Sequence, residues 1–276
     1  MSFMPIDPEH LTLDHKTAQA LGTEKADAYQ SAEPYHHICI DDFLPMEILE
    51  RVRTDIVSLP EGQSFDAAAE KFKTQYLPDR LPDYTRHLFQ TFNSRAFIQF
   101  LEKMTGISGL IPDPYFMGAG IHKTLNGGYL NIHADFNLHK HMAVERRLNV
   151  LIYLNPPWKE EWGGSFEIWD KPMEKKVASF APTENRMVCF STGSDTWHGN
   201  PEPVNHPEGL PRQSIALYYY TATWDESRAE HSTLFKPRPG SKDVSEARDK
   251  RHRFLKDALP PVLYRRAIGP LRRLGF

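Results

Sequence analysis

The feature that most constrains this chain of 276 residues is a series of short apolar runs between Tyr115 and Trp224. Clusters of Gly, Pro and Asn separate the runs. Runs of this length and spacing predict β-strands, and many short strands separated by turns are typical of a sandwich or a closed barrel. The runs are YLNIHADF, LNVLIYL, GSFEIWD, KKVASF, NRMVCF and RQSIALYYYTAT.

The segment before this block predicts a mixture of strand and helix. HHICI is expected to be a strand, and a helix is expected to begin near Pro45, because proline suits the donor-free first turn of a helix. A second amphipathic helix is predicted over 93–104. Residues up to about Ala32 show no defensible strand pattern, so we expect them to form an irregular arm or lid.

Composition excludes several classes of protein. A hydrophobic fraction of 40%, with 12% aromatic residues and a net charge of -3, excludes a disordered or fibrous chain. No apolar run approaches the roughly 20 residues of a membrane-spanning helix, and the acidic N-terminus does not read as a signal peptide. The two cysteines, Cys39 and Cys189, lie in apolar surroundings and suit a reducing compartment. We therefore expect a cytoplasmic protein.

Two short motifs bring metal-binding residue types into the β-rich block. His133 and Asp135 are two residues apart in a predicted strand, so both side chains leave the same face. His198, in the loop-like segment DTWHGNPEP, is the candidate for a third ligand. Two histidines and one carboxylate on one face of the metal are the arrangement of non-haem Fe(II) oxygenases, which keep positions open for a cosubstrate and O₂.

Arg212 and Ser214 open the last predicted strand and share one of its faces. A dicarboxylic cosubstrate that chelates iron at one end needs a fixed cation and a hydroxyl donor at the other. The planar guanidinium of arginine meets a carboxylate bidentately and therefore suits that position.

Alternative interpretations of these residues stay open at this point. An H-x-D tripeptide is unsurprising in a chain with 13 histidines. A zinc hydrolase could use the same three ligands, although Arg212 and Ser214 would then have no task. A catalytically silent barrel that binds a ligand or a partner protein is a further alternative. The joint order of H-x-D, a later histidine and R-x-S on the following strand favours the oxygenase.

The same segments resemble the Fe(II)- and 2-oxoglutarate-dependent dioxygenase superfamily, in its prolyl-4-hydroxylase-like branch. The resemblance is carried by GGYLNIHADFN, RRLNVLIYLNPPW, WGGSFEIWD, NRMVCFST, WHGNPEPV and RQSIALYYYTATW, and more weakly by YHHICIDDFLP. It implies a mainly β fold with flanking helices, in which a double-stranded β-helix (jelly-roll) core is braced by N-terminal helices. The expected organisation is an N-terminal arm over 1–34, the dioxygenase domain over 35–225 and a basic amphipathic extension over 226–276.

The resemblance also implies roles for individual residues. His133, Asp135 and His198 match the iron ligands, and are the residues expected to carry catalysis. Arg212 matches the residue that binds the C5 carboxylate of 2-oxoglutarate, with Ser214 assisting.

Two further residues on a neighbouring strand are implicated by the same resemblance. Tyr153, in IYLN, matches a position from which relatives send a phenol toward the cosubstrate carboxylate. Asn149, four residues earlier on the same face, is expected to line that pocket. The alternative for both is an ordinary strand side chain. The chain also departs from the family at Thr124, where many relatives have a tyrosine, and Tyr129 is out of register for that role.

The retained Asp135 implies hydroxylation, because halogenating relatives carry a small residue at this position. The expected reaction is hydroxylation of an unactivated C–H bond, with succinate and CO₂ as co-products. The expected cofactors are Fe(II), 2-oxoglutarate and O₂, with ascorbate as a stimulant. The substrate stays open among a small molecule, a lipid-linked glycan and a peptidyl residue.

The charge of the chain is unevenly distributed. Residues 250–276 carry eight basic side chains against one acidic, a local charge of +7 that leaves -10 for the rest. Leucines interleave with these charges, so the segment suits peripheral contact with an anionic membrane at its inner face. The alternative is a helix pair packed on the barrel. Nucleic-acid binding is not expected, because the remainder of the chain is acidic and no base-recognition motif is present.

Overall fold

The computed structural model describes residues 2–57, 59, 62–224, 229–241 and 243. These residues form four α-helices, thirteen strands and two short 3₁₀ helices at Pro78–Arg80 and Glu160–Trp162. The α-helices are α1 (His15–Gln30), α2 (Met46–Val57), α3 (Asp83–Phe92) and α4 (Arg95–Thr105). The strands are β1 (His37–Ile40), β2 (Gln63–Ala67), β3 (Glu70–Tyr76), β4 (Ile111–Pro112), β5 (Gly120–Ala134), β6 (Leu138–His139), β7 (Val144–Tyr153), β8 (Phe166–Trp169), β9 (Lys176–Phe180), β10 (Met187–Ser191), β11 (His198–Asn200), β12 (Arg212–Thr221) and β13 (Leu234–Phe235).

The strands pair antiparallel in the order β1-β10-β7-β12-β5-β11-β8-β9. The long strand β5 belongs to both halves of this arrangement. Its first half pairs with β12, its second half pairs with β11 and β13, and β3 pairs with both halves. The sheet therefore folds over at β5 into a flattened barrel, which confirms the expected double-stranded β-helix with flanking helices.

Strand β12 shows how the sequence creates an inner and an outer face. Ile215, Leu217 and Tyr219 alternate along one face and belong to the main hydrophobic core, which includes residues of α2, α3 and α4. Arg212 and Ser214 alternate on the opposite face and line the interior of the barrel. A smaller core of Tyr35, Tyr153, Phe166, Ile168, Val188 and Phe190 fills part of that interior.

The structure differs from the sequence expectation at the N-terminus, where 1–34 was expected to be an irregular arm. Helix α1 begins after Asp14, whose side chain accepts a hydrogen bond from the backbone N–H of Thr17. It packs along α4 so closely that a Cβ at Gly22 would lie 2.3 Å from the carbonyl oxygen of Phe100. Residues 15–30 are therefore a packed layer of the domain. The exposed face of this helix is polar, so the sequence shows no clear helical pattern of apolar residues.

The structure also changes the expected boundary of the C-terminal extension at 226. Strand β13 pairs with the end of β5, with Phe235 opposite His133. The first part of the extension is therefore built onto the barrel. The basic segment 250–276 lies outside the described residues, so its predicted membrane contact stays a prediction. Among the described helices, none combines the length and apolar character needed to cross a membrane.

Candidate functional site

The interior of the barrel brings His133, Asp135 and His198 together. His133 and His198 are directly paired across β5 and β11, and Asp135 follows β5 by one residue. One ligand atom from each side chain lies within 4.8 Å of the other two. The Nε2 atom of His198 is 3.2 Å from Oδ2 of Asp135, and Nε2 of His133 is 3.7 Å from Oδ1.

The two imidazoles are oriented by hydrogen bonds from their other ring nitrogens. Nδ1 of His133 lies 2.9 Å from the carbonyl oxygen of Asn131, and Nδ1 of His198 lies 2.9 Å from that of Thr196. A carbonyl oxygen can only accept, so each Nδ1 carries a proton, and Nε2 is the ring nitrogen left to face the other two groups. Burial also lowers the pKa of His198 and so favours its neutral form, which is the metal-binding form.

Asp135 is held as a carboxylate by two neighbours on β7. The amide of Asn149 donates to Oδ2 at 2.7 Å, and Nη2 of Arg146 lies 3.2 Å from the same oxygen. Burial acts to raise the pKa of Asp135, but the charge of Arg146 holds it well below its usual range. The carboxylate is therefore ionised and fixed in direction.

Arg146 is a buried cation at 3% exposure, although its sequence neighbourhood resembles a solvated strand start. Its guanidinium stacks on the ring of Tyr218 at 3.5 Å and on that of Phe136 at 4.4 Å. It also donates to Oδ1 of Asn149 through Nε and Nη2. A buried cation with these contacts acts as a brace for the Asp135 carboxylate.

A cavity of about 250 Å³ connects the three groups to Arg212. Nε of Arg212 donates to the carbonyl oxygen of Gly164 at 2.8 Å, and Nη2 donates to the hydroxyl of Tyr153 at 3.2 Å. Ser214 pairs with Tyr153 across β12 and β7 and lines the same cavity. Arg212 has no acidic partner within the described part of the chain, so its charge is available to an anion.

The donors present at the two ends of the cavity suit different groups. Two imidazoles and one carboxylate suit a divalent first-row metal, and this is the only such cluster among the described residues. A buried guanidinium beside a hydroxyl suits a carboxylate. The residues thus fit a metal at one end of the cavity and a carboxylate anion at the other.

All seven residues singled out from the sequence lie around this cavity, though not all in the expected way. Asn149 lines the cavity, but its amide contacts Asp135 instead of the Arg212 end. Tyr153 is fully buried behind Arg212 and reaches the site through its hydroxyl. Thr124 lines the cavity opposite Arg212, whereas the hydroxyl of Tyr129 donates to the carbonyl oxygen of Ala68, outside it.

Other cavity-lining residues were not assigned to the site from the sequence. Lys73 and Glu70 of β3 form an ion pair at 2.7 Å beside the cavity, and β3 pairs directly with β5. Phe235 of β13 places its ring 5.4 Å from that of His133. Neither β3 nor β13 carries a long apolar run. Only their charged and aromatic side chains could therefore have indicated from the sequence that they belong to the site.

A model of the 2OG-Fe(II) oxygenase superfamily matches residues 119–220. The matched segment contains the three grouped ligands as well as Arg212, Ser214, Tyr153 and Asn149. A search of curated protein sequences returned no match to this chain.

Solved structures of two proteins share the fold. A prolyl hydroxylase from Trichoplax adhaerens, in complex with a hypoxia-inducible factor peptide, superimposes with a TM-score of 0.53 at 16% identity, covering 74% of this chain and 91% of the other. HygX from Streptomyces hygroscopicus, with nickel, 2-oxoglutarate and hygromycin B bound, superimposes with a TM-score of 0.51 at 10% identity, covering 74% of this chain and 88% of the other. At these identities the likeness concerns the fold.

Proposed function

We propose that this chain, whose residues 119–220 match the model of the 2OG-Fe(II) oxygenase superfamily, is an enzyme of that superfamily that hydroxylates an unactivated C–H bond with succinate and CO₂ as co-products. The observation that carries the proposal is the single cavity with His133, Asp135 and His198 at one end and Arg212 at the other. A dicarboxylate that binds a metal through one end and an arginine through the other requires both of these groups in the same cavity.

In this proposal, His133, Asp135 and His198 hold Fe(II). The bound iron and 2-oxoglutarate supply the oxidising chemistry, and ascorbate is expected to stimulate turnover. The protein presents both imidazoles to the site through Nε2, because each Nδ1 is engaged by a carbonyl oxygen. The Asn149 and Arg146 contacts would hold the Asp135 carboxylate in a fixed orientation beside the two histidines.

Arg212 would bind the C5 carboxylate of 2-oxoglutarate, with Tyr153 and Ser214 completing that end of the cavity. The contacts from Arg212 to Gly164 and Tyr153 fix the guanidinium and leave its other three N–H groups available for the carboxylate. The side chains of Leu151, Phe166 and Phe190 form apolar walls of the cavity. These walls limit the access of water to the reacting groups.

The substrate classes we propose are a peptidyl residue, a small molecule and a lipid-linked glycan. The Trichoplax enzyme is bound to a peptide and HygX to hygromycin B, so this fold accommodates substrates of different size. Hydroxylation is favoured over halogenation because the carboxylate Asp135 is retained.

Anaerobic titration of the wild-type protein with Fe(II) and then 2-oxoglutarate tests the proposed function. We expect the metal-to-ligand charge-transfer absorption that a 2-oxo acid gives when it chelates Fe(II). Succinate, which has no 2-oxo group, serves as the matched control and should give no such band. The proposal fails if 2-oxoglutarate also gives none.

A glycine next to the cavity provides a specific test of how Arg212 is positioned. Gly164 has a φ of +70°, and a Cβ there would lie 3.1 Å from Cδ of Arg212. We expect Gly164→Ala to displace the guanidinium and to weaken 2-oxoglutarate binding roughly tenfold, about the effect of one lost hydrogen bond. The measurement is anaerobic calorimetric titration of 2-oxoglutarate into the Fe(II)-loaded protein.

Gly209 offers a matched control for the Gly164 substitution. Its φ is +72°, but nothing lies within 4 Å of a Cβ at that position. Gly209→Ala therefore introduces the same backbone strain without a contact to Arg212, and it should leave 2-oxoglutarate affinity unchanged. Equal losses of 2-oxoglutarate affinity in Gly164→Ala and Gly209→Ala would contradict the proposed role of Gly164.

A further inference from the structure

Asn200 lies on the cavity wall, and although it stands in the quoted segment WHGNPEPV, none of the roles proposed above uses it. It is the last residue of β11, two positions after His198, and only 5% of it is exposed. Two residues apart on one strand, the side chains of His198 and Asn200 share a face. Both line the cavity.

The side-chain amide of Asn200 has a buried N–H₂ group without a hydrogen-bond partner among the described residues. A buried amide donor that stays unpaired costs free energy, which is why most such groups in proteins are satisfied. Three other buried polar atoms are similarly unpaired, on Ser165, Thr192 and Tyr220, but none of those residues lines the cavity. Asn200 therefore holds an unused donor on a side chain that lines the cavity.

The strand register places Asn200 between the two ends of the cavity. Along β5, His133 is opposite His198, Leu130 is opposite Asn200, and Thr124 is opposite Arg212. Asn200 thus lies beyond the metal-binding end in the direction of Arg212. A dicarboxylate held at both ends would pass along this part of the wall.

The close approach of β11 to β5 fixes the position of this side chain. A Cβ at Gly199 would lie 2.8 Å from the carbonyl oxygens of both Leu130 and Asn131, so only glycine allows the strands to come this near. The backbone next to Asn200 is therefore held against β5. An amide on so constrained a strand is preorganised for one acceptor.

We propose that Nδ2 of Asn200 donates a hydrogen bond to an oxygen of 2-oxoglutarate, which makes Asn200 an additional cosubstrate-binding residue. The inference rests on the proposed function. An oxygen-rich dianion supplies the acceptors that this donor lacks, and the apolar side chains of Leu151, Phe166 and Phe190 elsewhere on the lining supply none. Together with Arg212, Asn200 would select an oxygen-rich cosubstrate over a less polar acid.

Two substitutions of Asn200 test the proposal by anaerobic titration of 2-oxoglutarate into the Fe(II)-loaded full chain. Asn200→Leu keeps the approximate volume and removes the donor, and we expect a roughly ten- to hundredfold weaker affinity for 2-oxoglutarate. Asn200→Asp replaces the donor by an anionic acceptor, and we expect a larger loss than for leucine because like charges repel. Fe(II) affinity, measured without 2-oxoglutarate, should change by less than about threefold in the leucine variant, because the donor does not belong to the metal-ligand set.

Thr192→Val is the matched control, because it removes another unpaired buried polar atom, outside the cavity, at nearly constant shape. It should leave 2-oxoglutarate affinity unchanged. A wild-type protein without the charge-transfer band would refute the proposed function itself. A normal wild-type band, with unchanged 2-oxoglutarate affinity in Asn200→Leu, would overturn only the role of Asn200.

A purely structural role for Asn200 predicts a different outcome, and the same measurements distinguish it from cosubstrate binding. It would lower the thermal unfolding midpoint and weaken Fe(II) and 2-oxoglutarate binding together, without a further loss from leucine to aspartate. If Asn200→Leu does not fold, Asn200→Asp, which preserves shape and polarity, carries the test. Unchanged affinity for 2-oxoglutarate in a folded Asn200→Asp variant would then overturn the proposal.

Discussion

Replacing His198 by alanine is expected to abolish both the Fe(II)/2-oxoglutarate charge-transfer band and the turnover of 2-oxoglutarate. The variant removes one of three proposed iron ligands, and the remaining pair, His133 and Asp135, comes from neighbouring positions at the end of β5. Without the His198 side chain, no other His, Cys, Asp or Glu of the described residues completes a group of three with His133 and Asp135. Absorbance under anaerobic titration and succinate formation in air are the two measurements.

The control for this variant is the exposed His141, which lies outside the ligand set. His141→Ala should retain both the band and the turnover. Because His198 is buried, circular dichroism and thermal unfolding are needed to show that His198→Ala is folded. A folded His198→Ala protein that keeps the band would refute the proposed ligand set.

Replacing Arg212 by alanine is expected to weaken 2-oxoglutarate binding by roughly a hundred- to a thousandfold, with Fe(II) affinity nearly unchanged. The guanidinium would supply two charge-assisted hydrogen bonds to the carboxylate, each worth about 1.5–3 kcal/mol. Its present contacts are to Gly164 and Tyr153, at the opposite end of the cavity from the metal-binding groups. Separate titrations of metal and cosubstrate distinguish the two effects.

Two companion variants sharpen the Arg212 prediction. Arg212→Lys keeps the charge but loses the planar fork, so its affinity for 2-oxoglutarate should fall between those of wild type and alanine. Arg147→Ala removes an arginine of β7 that contacts Thr221 outside the cavity, and it should bind 2-oxoglutarate normally. Equal losses of Fe(II) and 2-oxoglutarate affinity in Arg212→Ala would contradict the assignment.

The sequence predicted the parts of the site that follow simple strand alternation. Arg212 and Ser214 share a face of β12, and both line the cavity as the two-residue period requires. The central strands were predicted for the same reason, since each is a compact apolar run between turns. The fold class followed from those strands together with the family motifs.

Arg146 shows where alternation fails. It is three residues from Asn149, so a regular strand would place the two side chains on opposite faces. The pairing of β7 with β12 shifts between Tyr219 and Tyr220, where Leu148 and Arg146 are their respective partners. This β-bulge returns Arg146 to the face of Asn149, and a bulge depends on the partner strand, which local sequence does not specify.

The remaining differences come from elements whose signal is weak in isolation. Helix α1 has few apolar residues, and its burial depends on the close crossing with α4 at Gly22. Strand β13 has only two residues, and its position beside His133 is a tertiary contact. The formation of such elements depends on tertiary contacts, which their own short sequences do not indicate.

Strand β5 sets the distance between the two ends of the cavity. It carries His133 near one end and, through Thr124, the partner position of Arg212 near the other. The spacing between the two ends is therefore set along one continuous strand. Strands β11 and β12, which carry His198 and Arg212, both pair with β5, so the register along that strand sets the length of the molecule that the two ends accept.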